Sequence, residues 1–445
     1  MISLNYWFRV RAILVSTGIG PYLFKTLGTV VALLLSYGLL LLANGLFSTL
    51  LGVRTQVEGF SPTLVGFIVA CYFTGLLFGG LFAGRVVTRV GHIRSFAAFA
   101  SVMSVSALMH PIFVSPFAWM AFRMLGGFCM AGMIMVTESW LNEAASNKTR
   151  GQILSFYMIT NYFAAGCGQF LLTTGDPSQF ELFSLASIIF SLALLPVLLT
   201  RARAPVPVHS KRMRLSTLYR LAPLGVVGVF CCGLVNSSIH GLSPVYATNM
   251  GFSEAQLSTF MAAIIMSGLF LQWPIGHLSD RIGRGPLLVV IPVLVALAAG
   301  SLVFATEYVL TLAGAMVFGA FVFTLYSLAA ATTNDMVKSE QRVQVAGALL
   351  ITYGAGAASG PIIASQFMSH LGPQGLFFYF ALINLLLASF AILMRRHRAG
   401  SPEKRKPFVA VPATQATSNQ LYLSAHDEAP EHVTLLDIDE KSADS

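Results

Sequence analysis

The sequence predicts an all-α membrane protein with twelve transmembrane helices in two parallel six-helix halves. Three observations lead to this prediction: an apolar composition, twelve apolar runs and an internal repeat. Of the 445 residues, 56% are hydrophobic and 10% are charged, whereas soluble domains have roughly 45–50% apolar and 25% charged residues. This balance leaves too much apolar surface for one soluble core. It excludes a soluble enzyme, a disordered protein and a nucleic-acid-binding protein.

A bilayer-spanning helix needs about 20 mostly apolar residues. Runs of this kind, separated by glycine, proline and charge, cover residues 26–51, 61–84, 94–112, 117–141, 151–174, 181–200, 222–246, 254–278, 285–305, 308–331, 343–367 and 375–396. They form a predicted N-terminal half at 26–200 and a C-terminal half at 222–396. The rest is a cytoplasmic arm at 1–25, a basic cytoplasmic linker at 201–221 and a polar tail at 397–445 that we expect to be disordered.

The basic residues predict the orientation, because lysine and arginine stay on the cytoplasmic side of a membrane. Of 27 basic residues, 25 fall in the two termini and the even-numbered connections. Arg54 falls on the opposite side and Arg123 lies inside a helix. We therefore expect both termini in the cytoplasm. The net charge of +9 is then an orientation signal, not an affinity for acidic ligands.

An internal repeat appears when the sequence is shifted by 192 residues, the separation of Gly59 from Gly251. The shift aligns Gly59-Phe60-Ser61 with Gly251-Phe252-Ser253, Asn44 with Asn236, Glu143 with Asp335, and Arg150 with Arg342. Six helices per repeat is an even number, so the two halves have the same orientation. Parallel halves of this kind are one architecture of secondary transporters.

Two loops at equivalent places in the repeat carry a recognisable pattern. The loop from Gly276 to Arg284 reads Gly-His-Leu-Ser-Asp-Arg-Ile-Gly-Arg. It resembles the signature loop of the major facilitator superfamily. The first copy begins at Gly84 and has Thr88 where the second has Asp280. The resemblance covers about residues 26–396, and the segments 138–142 and 272–276 resemble the YcaD-like bacterial subgroup more narrowly.

The resemblance implies the major facilitator fold and a gate at the cytoplasmic helix ends. Glycine permits the tight turn and lets neighbouring helices approach. A carboxylate near a helix N-terminus is stabilised there. Asp280 can also pair with a nearby arginine, and we expect this contact to form when the gate is closed and to break when it opens. The gate candidates are Gly84, Arg89, Gly91, Glu143, Arg150, Gly276, Asp280, Arg281, Gly283, Arg284, Asp335 and Arg342. A simple orientation signal or a set of solvated loop charges is the alternative interpretation. Because Thr88 carries no charge, Asp280→Asn should impair transport more than Thr88→Ala.

Ionisable groups inside membrane helices are costly and point to function. Arg123 lies about two turns into the fourth helix and resembles the arginine of proton-coupled members of the family; it could bind an anion, pair with an acid or bond helix-end carbonyls. Glu138 lies 15 residues further on, about 22 Å along the helix, so the two cannot pair. Glu138 is the best candidate for a proton carrier or cation-recognising group, with a capping carboxylate as the alternative.

Polar residues in other helices complete the candidates for the substrate cavity or proton coupling. Asn236 and His240 are four residues apart and so share one helix face, and Asn236 is the repeat mate of Asn44. Packing hydrogen bonds between helices are the alternative role. The full candidate set is Asn44, Arg123, Glu138, Asn161, Gln169, Asn236, His240 and Gln272.

These observations predict a secondary active transporter of a small organic solute that works by alternating access, with proton-coupled efflux favoured. A nutrient or metabolite importer, and a transporter-like sensor that signals through its C-terminal tail, are the alternatives. No catalytic arrangement, metal-ligand spacing or nucleotide-binding motif is present in the sequence. We therefore expect no enzyme activity and no cofactor or metal. The expected partners are the solute, protons and the bilayer, with the protein as a monomer and no nucleic acid bound.

Overall fold

The structure is a computed structural model that describes residues 19–145, 149–199, 213–338 and 341–397. Helices account for nearly all of these residues, and the described segments contain no strand. The principal helices are α1 (Ile19–Val57), α2 (Pro62–Val90), α3 (His92–Ile112), α4 (Pro116–Ala144), α5 (Arg150–Phe170), α6 (Glu181–Leu192 continued by Leu194–Leu199), α7 (Pro223–Asn249), α8 (Glu254–Ile282), α9 (Arg284–Phe304), α10 (Tyr308–Val322 continued by Thr324–Asp335), α11 (Arg342–Leu371) and α12 (Gly375–His397). A 3-10 turn, Leu171–Thr174, follows α5, and a short helix, Leu215–Leu221, precedes α7. The predicted tail and most of the predicted linker lie outside the described residues.

Eleven of these helices are long and apolar enough to cross a membrane. The remaining one, α5, has 21 residues and carries polar side chains such as Asn161 and Gln169, which lower its hydropathy. It packs against α1 and α8 in the middle of the bundle. Its polar residues Asn161 and Gln169 are buried, whereas Phe156, Ile159 and Phe163 are exposed on its outer face. The predicted all-α membrane fold is therefore confirmed.

Three helices differ in detail from the predicted spans. Helix α1 begins at Ile19, earlier than the predicted residue 26, and continues to Val57. Helix α6 is interrupted at Ala193, and Pro196, which has no N–H to donate, lies three residues beyond the break. The Ser36 hydroxyl donates to the Ala193 carbonyl there. Helix α10 is interrupted at Phe323, where the Thr324 hydroxyl donates to the Phe321 carbonyl at 2.7 Å.

The internal repeat is present in the backbone as well as in the sequence. Gly59 and Gly251 have φ of 68° and 76°, and Gly91 and Gly283 have φ of 93° and 96°. Each pair stands at the same shift of 192 residues. The serines that cap α2 and α8, Ser61 and Ser253, obey the same shift and each accept a backbone N–H. The same turn chemistry therefore joins equivalent helices in both halves.

Two pairs of helices hold the halves together: α2 against α11 and α5 against α8. The repeat exchanges these two pairs, as expected for a pseudo-twofold arrangement. A third contact joins α1 to α7, where a Cβ on Gly52 would lie 2.7 Å from the Pro244 side chain. At the same end, the Gln366 amide donates to the Thr63 hydroxyl at 3.3 Å. These contacts close the halves against each other at the ends that the sequence predicts to face outward.

Glycines allow α2 and α4 to pack backbone to backbone. A Cβ on Gly75 would collide with the Met124 carbonyl, and one on Gly127 would collide with the Tyr72 carbonyl. Such close approach is typical of small residues at membrane helix crossings. The crossing brings the residues around Tyr72 against the first turns of α4, where Arg123 lies.

The turn between α8 and α9 gives a direct test of the backbone repeat. Gly283 has a backbone conformation that only glycine adopts without strain, so Gly283→Ala should cost about 1–3 kcal/mol. Gly285 is helical and a Cβ there would meet open space, so Gly285→Ala should leave stability unchanged or slightly higher. Thermal unfolding of the purified variants in detergent measures both. Equal melting temperatures for the two variants would contradict the assigned turn.

Candidate functional site

A central cavity lies between the two halves. The space inside it that a water-sized sphere can occupy is about 50 Å³, less than small-molecule sites usually have, so the cavity is narrow in this conformation. Helices α1, α2, α4 and α5 contribute its wall from the N-terminal half, and α7, α8 and the break in α10 contribute it from the C-terminal half. The cavity therefore lies on the boundary across which two halves can move.

The cavity wall is chemically uneven. The N-terminal half contributes nearly all of its polar side chains, which are Asn44, Ser48, Thr49, Tyr72, Arg123, Asn161, Tyr162 and Gln169. The C-terminal half contributes Met261, Ile265 and Phe323, with His240 as its titratable member. One side of the cavity can therefore offer hydrogen bonds and charge, and the other offers apolar contact.

Arg123 is the lining's one arginine, and the lining contains no lysine, aspartate or glutamate. The residue is 4% exposed. Its guanidinium carbon lies 4.0 Å from the centre of the Tyr72 ring and 5.6 Å from that of Phe47. Its Nη1 has no hydrogen-bond partner, and no ion pair involves it in the described part of the chain. The aromatic faces stabilise the cation, and the predicted alternative of bonds to helix-end carbonyls is not observed.

Glu138 lies away from the cavity and is 1% exposed. Its Oε1 accepts the Tyr157 hydroxyl at 2.9 Å. The Tyr157 ring stacks on Tyr37 with 4.4 Å between centroids, and the two side chains also hydrogen bond. The Tyr37 hydroxyl accepts the Asn161 amide at 2.6 Å. This polar chain connects the end of α4 with a residue of the cavity wall.

The remaining cavity candidates divide into two groups. Asn44, Gln169 and His240 are in the cavity lining. Asn44 accepts the Tyr72 hydroxyl at 3.1 Å, and Gln169 accepts the Thr49 hydroxyl. Asn236 and Gln272 lie outside the lining. The expectation that Asn44 and Asn236 face each other across the cavity is therefore wrong for Asn236, which is fully buried behind it near Tyr353.

Gln272 makes a packing hydrogen bond instead of lining the cavity. Its amide donates to Ser327 at 2.7 Å, which joins α8 to α10. The sequence could not distinguish Asn236 and Gln272 from the residues that line the cavity. A helical pattern shows which residues share a face, but not which neighbouring helix packs on that face.

At the other end of the bundle, three gate candidates of the C-terminal half form a charged cluster. Arg284 is buried, pairs with Asp335 and donates to the Ala331 carbonyl at 2.7 Å. Its Nη2 lies 3.8 Å from Asp280, so Asp280 does face an arginine. Arg342 acts electrostatically on Asp335. The cluster ties α8 and α9 to the end of α10.

The N-terminal copy of this cluster is incomplete. Thr88 donates to the carbonyl of Arg85 in its own helix at 3.0 Å, and His92 stands where Arg284 stands in the repeat. The candidates Arg89, Arg281 and Glu143 are exposed, and Arg150 is partly buried. Gly84 lies beside Met135 of its own half, and Gly91 and Gly283 form the two turns. A charge link between the halves through these residues remains a prediction.

Sequence reasoning missed three tyrosines, which are Tyr37, Tyr72 and Tyr157. Tyrosines in membrane helices are common, and nothing in the local sequence separates these from packing residues. The repeat holds one signal: their mates are Val229, Ile264 and Leu349. An aromatic hydroxyl in one half that is replaced by an aliphatic side chain in the other points away from a purely structural role.

Comparison with known proteins agrees with this architecture. Residues 33–308 and 225–426 match the model of the Major Facilitator Superfamily. The chain belongs to the major facilitator superfamily. It is 31% identical over 371 residues to the uncharacterized MFS-type transporter YcaD of Escherichia fergusonii, which covers 82% of this chain and 96% of that protein. The YcaD of Salmonella typhimurium is 29% identical over 374 residues, covering 83% and 96%. The resemblance to this subgroup is therefore confirmed.

Solved structures of the superfamily share the fold at low sequence identity. The nucleoside transporter NupG matches with a TM-score of 0.67 at 15% identity, covering 84% of this chain and 100% of that one. A bacterial homolog of the human lysosomal transporter Spinster, inward-facing and unoccupied, matches with 0.68 at 14%, covering 85% and 99%. A D-xylose-proton symporter matches with 0.60 at 19%, covering 83% and 97%. Membrane transport is the function of the family to which this chain belongs.

Two neighbouring arginines test the charged cluster. Arg284→Gln removes the cation from buried contacts with Asp280, Asp335 and a carbonyl, and should cost about 1–3 kcal/mol of stability. Arg281→Gln changes an exposed arginine three residues away in the chain and should change stability by less than about 0.5 kcal/mol. Melting temperatures in detergent measure the difference. An equal effect of both substitutions would remove Arg284 from the centre of the cluster.

Proposed function

We propose that the protein is a secondary active transporter that moves a small organic solute through the central cavity by alternating access. The observation that supports this most is the position of the cavity, between two repeat halves and lined from both. A solute bound there would face one side of the membrane or the other as the halves rock about it. In this proposal the membrane is a bacterial inner membrane, the termini are cytoplasmic and the monomer is the working unit.

The distribution of contacts supports a two-state mechanism. The predicted outer ends are closed by the Gly52–Pro244 and Thr63–Gln366 contacts. The Arg284 cluster lies at the opposite ends and braces three helices of one half. In this proposal the outer contacts break and inter-half contacts form at the cytoplasmic ends when the cavity turns outward. Asp280, Arg150 and Arg342 are then the residues that meet across the gate.

The solute class follows from the cavity wall. Its mixed lining suits a small organic molecule with a polar end. Nucleosides and D-xylose are named as cargo for two structural relatives, which is compatible with such a molecule. We favour efflux over import because an apolar wall suits amphipathic solutes; import of a nutrient or metabolite is the alternative.

Proton coupling is proposed to run through Glu138. An ionised carboxylate is costly to bury without compensation, so the residue can gain a proton when its surroundings change. Tyrosine hydroxyls both donate and accept hydrogen bonds, so a change in the protonation of Glu138 can reorient the Tyr157 and Tyr37 hydroxyls and alter the hydrogen bond that Tyr37 accepts from Asn161 at the cavity wall. The protonation state of Glu138 would then affect solute binding at the cavity wall, although the solute does not contact Glu138.

Glu138→Gln tests this coupling. It keeps the shape and an acceptor for Tyr157 but cannot ionise, so coupled transport should fall at least tenfold while solute exchange continues. Glu307→Gln changes an exposed carboxylate at the N-cap of α10, outside the gate candidates and the polar chain, and should leave coupling intact. A thermal-shift screen of small organic solutes on the purified protein identifies a substrate. Proteoliposomes with and without a pH gradient then measure its flux. Full gradient-driven flux in Glu138→Gln would reject the role of this residue.

Removal of residues 398–445 separates the transporter from the sensor alternative. The last described helix, α12, ends at His397, and residues 398–445 lie outside the described part of the chain. We expect flux within about twofold of the full chain. Loss of flux with retained solute binding would favour a sensor that signals through its tail.

A further inference from the structure

The position of Arg123 is unusual among the charged groups of the bundle. Arg284 is also buried, and it has two carboxylates beside it. Arg123 has the faces of Tyr72 and Phe47 and an Nη1 without a partner. A cation buried in protein is expected to be paired. Here the described residues contain no anion that meets it.

The two acidic residues further along the same helix, Glu138 and Glu143, cannot supply the missing anion. Glu138 is 15 residues from Arg123, about 22 Å along α4, and is engaged by Tyr157. The repeat does not supply one either, because the mate of Arg123 is Ala315 and that of Glu138 is Ala330. Arg123 is itself one of the residues that line the cavity.

The surroundings of Arg123 fit one end of a ligand, and the opposite wall fits the other. Around the cation, Asn44 and Asn161 have amide groups in the lining. Across the cavity, Met261, Ile265 and Phe323 present apolar surface. Phe323 is held there by edge contact with Tyr162, at 5.8 Å between ring centroids. A ligand that satisfies both walls has an anionic head and an apolar body.

We propose that the cavity binds an amphipathic organic monoanion, with its carboxylate on Arg123 and its hydrocarbon or aromatic body against Met261, Ile265 and Phe323. This inference rests on the proposed transport function and specifies its substrate class. A single positive charge in the lining matches a single negative charge on the ligand. Arginine offers a carboxylate two parallel N–H donors, and the Tyr72 ring holds the guanidinium plane in place while it does so.

The experiment compares carboxylates with their neutral amides on the purified full chain. The probes are benzoate, 4-phenylbutyrate and octanoate, each paired with benzamide, 4-phenylbutanamide or octanamide. Thermal shift and isothermal titration should show binding of at least one carboxylate at least tenfold tighter than that of its amide. Equal binding of acid and amide, or no binding of any of the three acids, would overturn the proposal. This comparison uses the unaltered chain, so it does not depend on a variant that folds.

Three variants then locate the site. Arg123→Gln should weaken carboxylate binding about tenfold to hundredfold and leave amide binding unchanged. Arg123→Lys should restore part of the affinity, because it keeps the charge without the planar fork. The matched control is Arg85→Gln: Arg85 also lies over an aromatic ring, Phe82 at 5.0 Å, but is exposed at the surface. An equal loss in Arg85→Gln, or full binding in Arg123→Gln, would place the anion elsewhere.

Flux separates this inference from the proposed function. Proteoliposomes loaded with the best radiolabelled acid should release it faster with the wild-type protein than with Arg123→Gln. Binding at Arg123 without flux would support the anion site and reject transport of this class. Flux of a neutral solute that is unaffected by Arg123→Gln would support the transporter and reject the anion site.

Discussion

The close packing of α2 against α4 decides the chemistry of the whole cavity. Gly75 and Gly127 let the two backbones touch. At that crossing the Arg123 guanidinium lies over the Tyr72 ring, with 4.0 Å between its carbon and the ring centroid. A Cβ on Gly75 would collide with the Met124 carbonyl oxygen and one on Gly127 would collide with that of Tyr72, so a side chain at either position would force the helices apart. Arg123 would then lose the aromatic face that makes burial of its charge tolerable. The polar wall of the cavity, including the Tyr72–Asn44 hydrogen bond, is built outward from this contact.

The two halves have equivalent backbone turns but carry different charged side chains. Their turns coincide at Gly59 and Gly251 and at Gly91 and Gly283, because a tight turn between antiparallel membrane helices admits few conformations and glycine satisfies them. Side chains are under no such restriction. The N-terminal half holds Arg123 and Glu138 within the bilayer, and the C-terminal half holds the compact Arg284 cluster at its edge. In our proposal one half therefore carries recognition and coupling, while the other braces the gate.

Separation of the two buried charges is itself informative. Were Arg123 and Glu138 paired, each would neutralise the other and the cavity would present no net charge. Their distance along α4 leaves Arg123 available to a ligand, while the tyrosine chain connects Glu138 to the same wall through Asn161. This arrangement makes solute binding and protonation distinct events on one helix. A rigid helix that joins them gives a simple physical route for coupling, because movement of α4 alters both environments together.

The sequence by itself determined the membrane fold, the repeat and the main ionisable residues, since hydropathy, positive charge and helix length act locally along the chain. It also identified Asp280 as a residue with an arginine contact, and Asn44, Arg123, Asn161, Gln169 and His240 as cavity candidates. Only the tertiary structure decided that Asn236 and Gln272 lie behind the wall. It alone revealed the aromatic partner of Arg123 and the tyrosine chain of Glu138. The reason is that these contacts join residues on different helices, and helix rotation and crossing angle are set by packing between faces, which the order of residues in one helix does not specify.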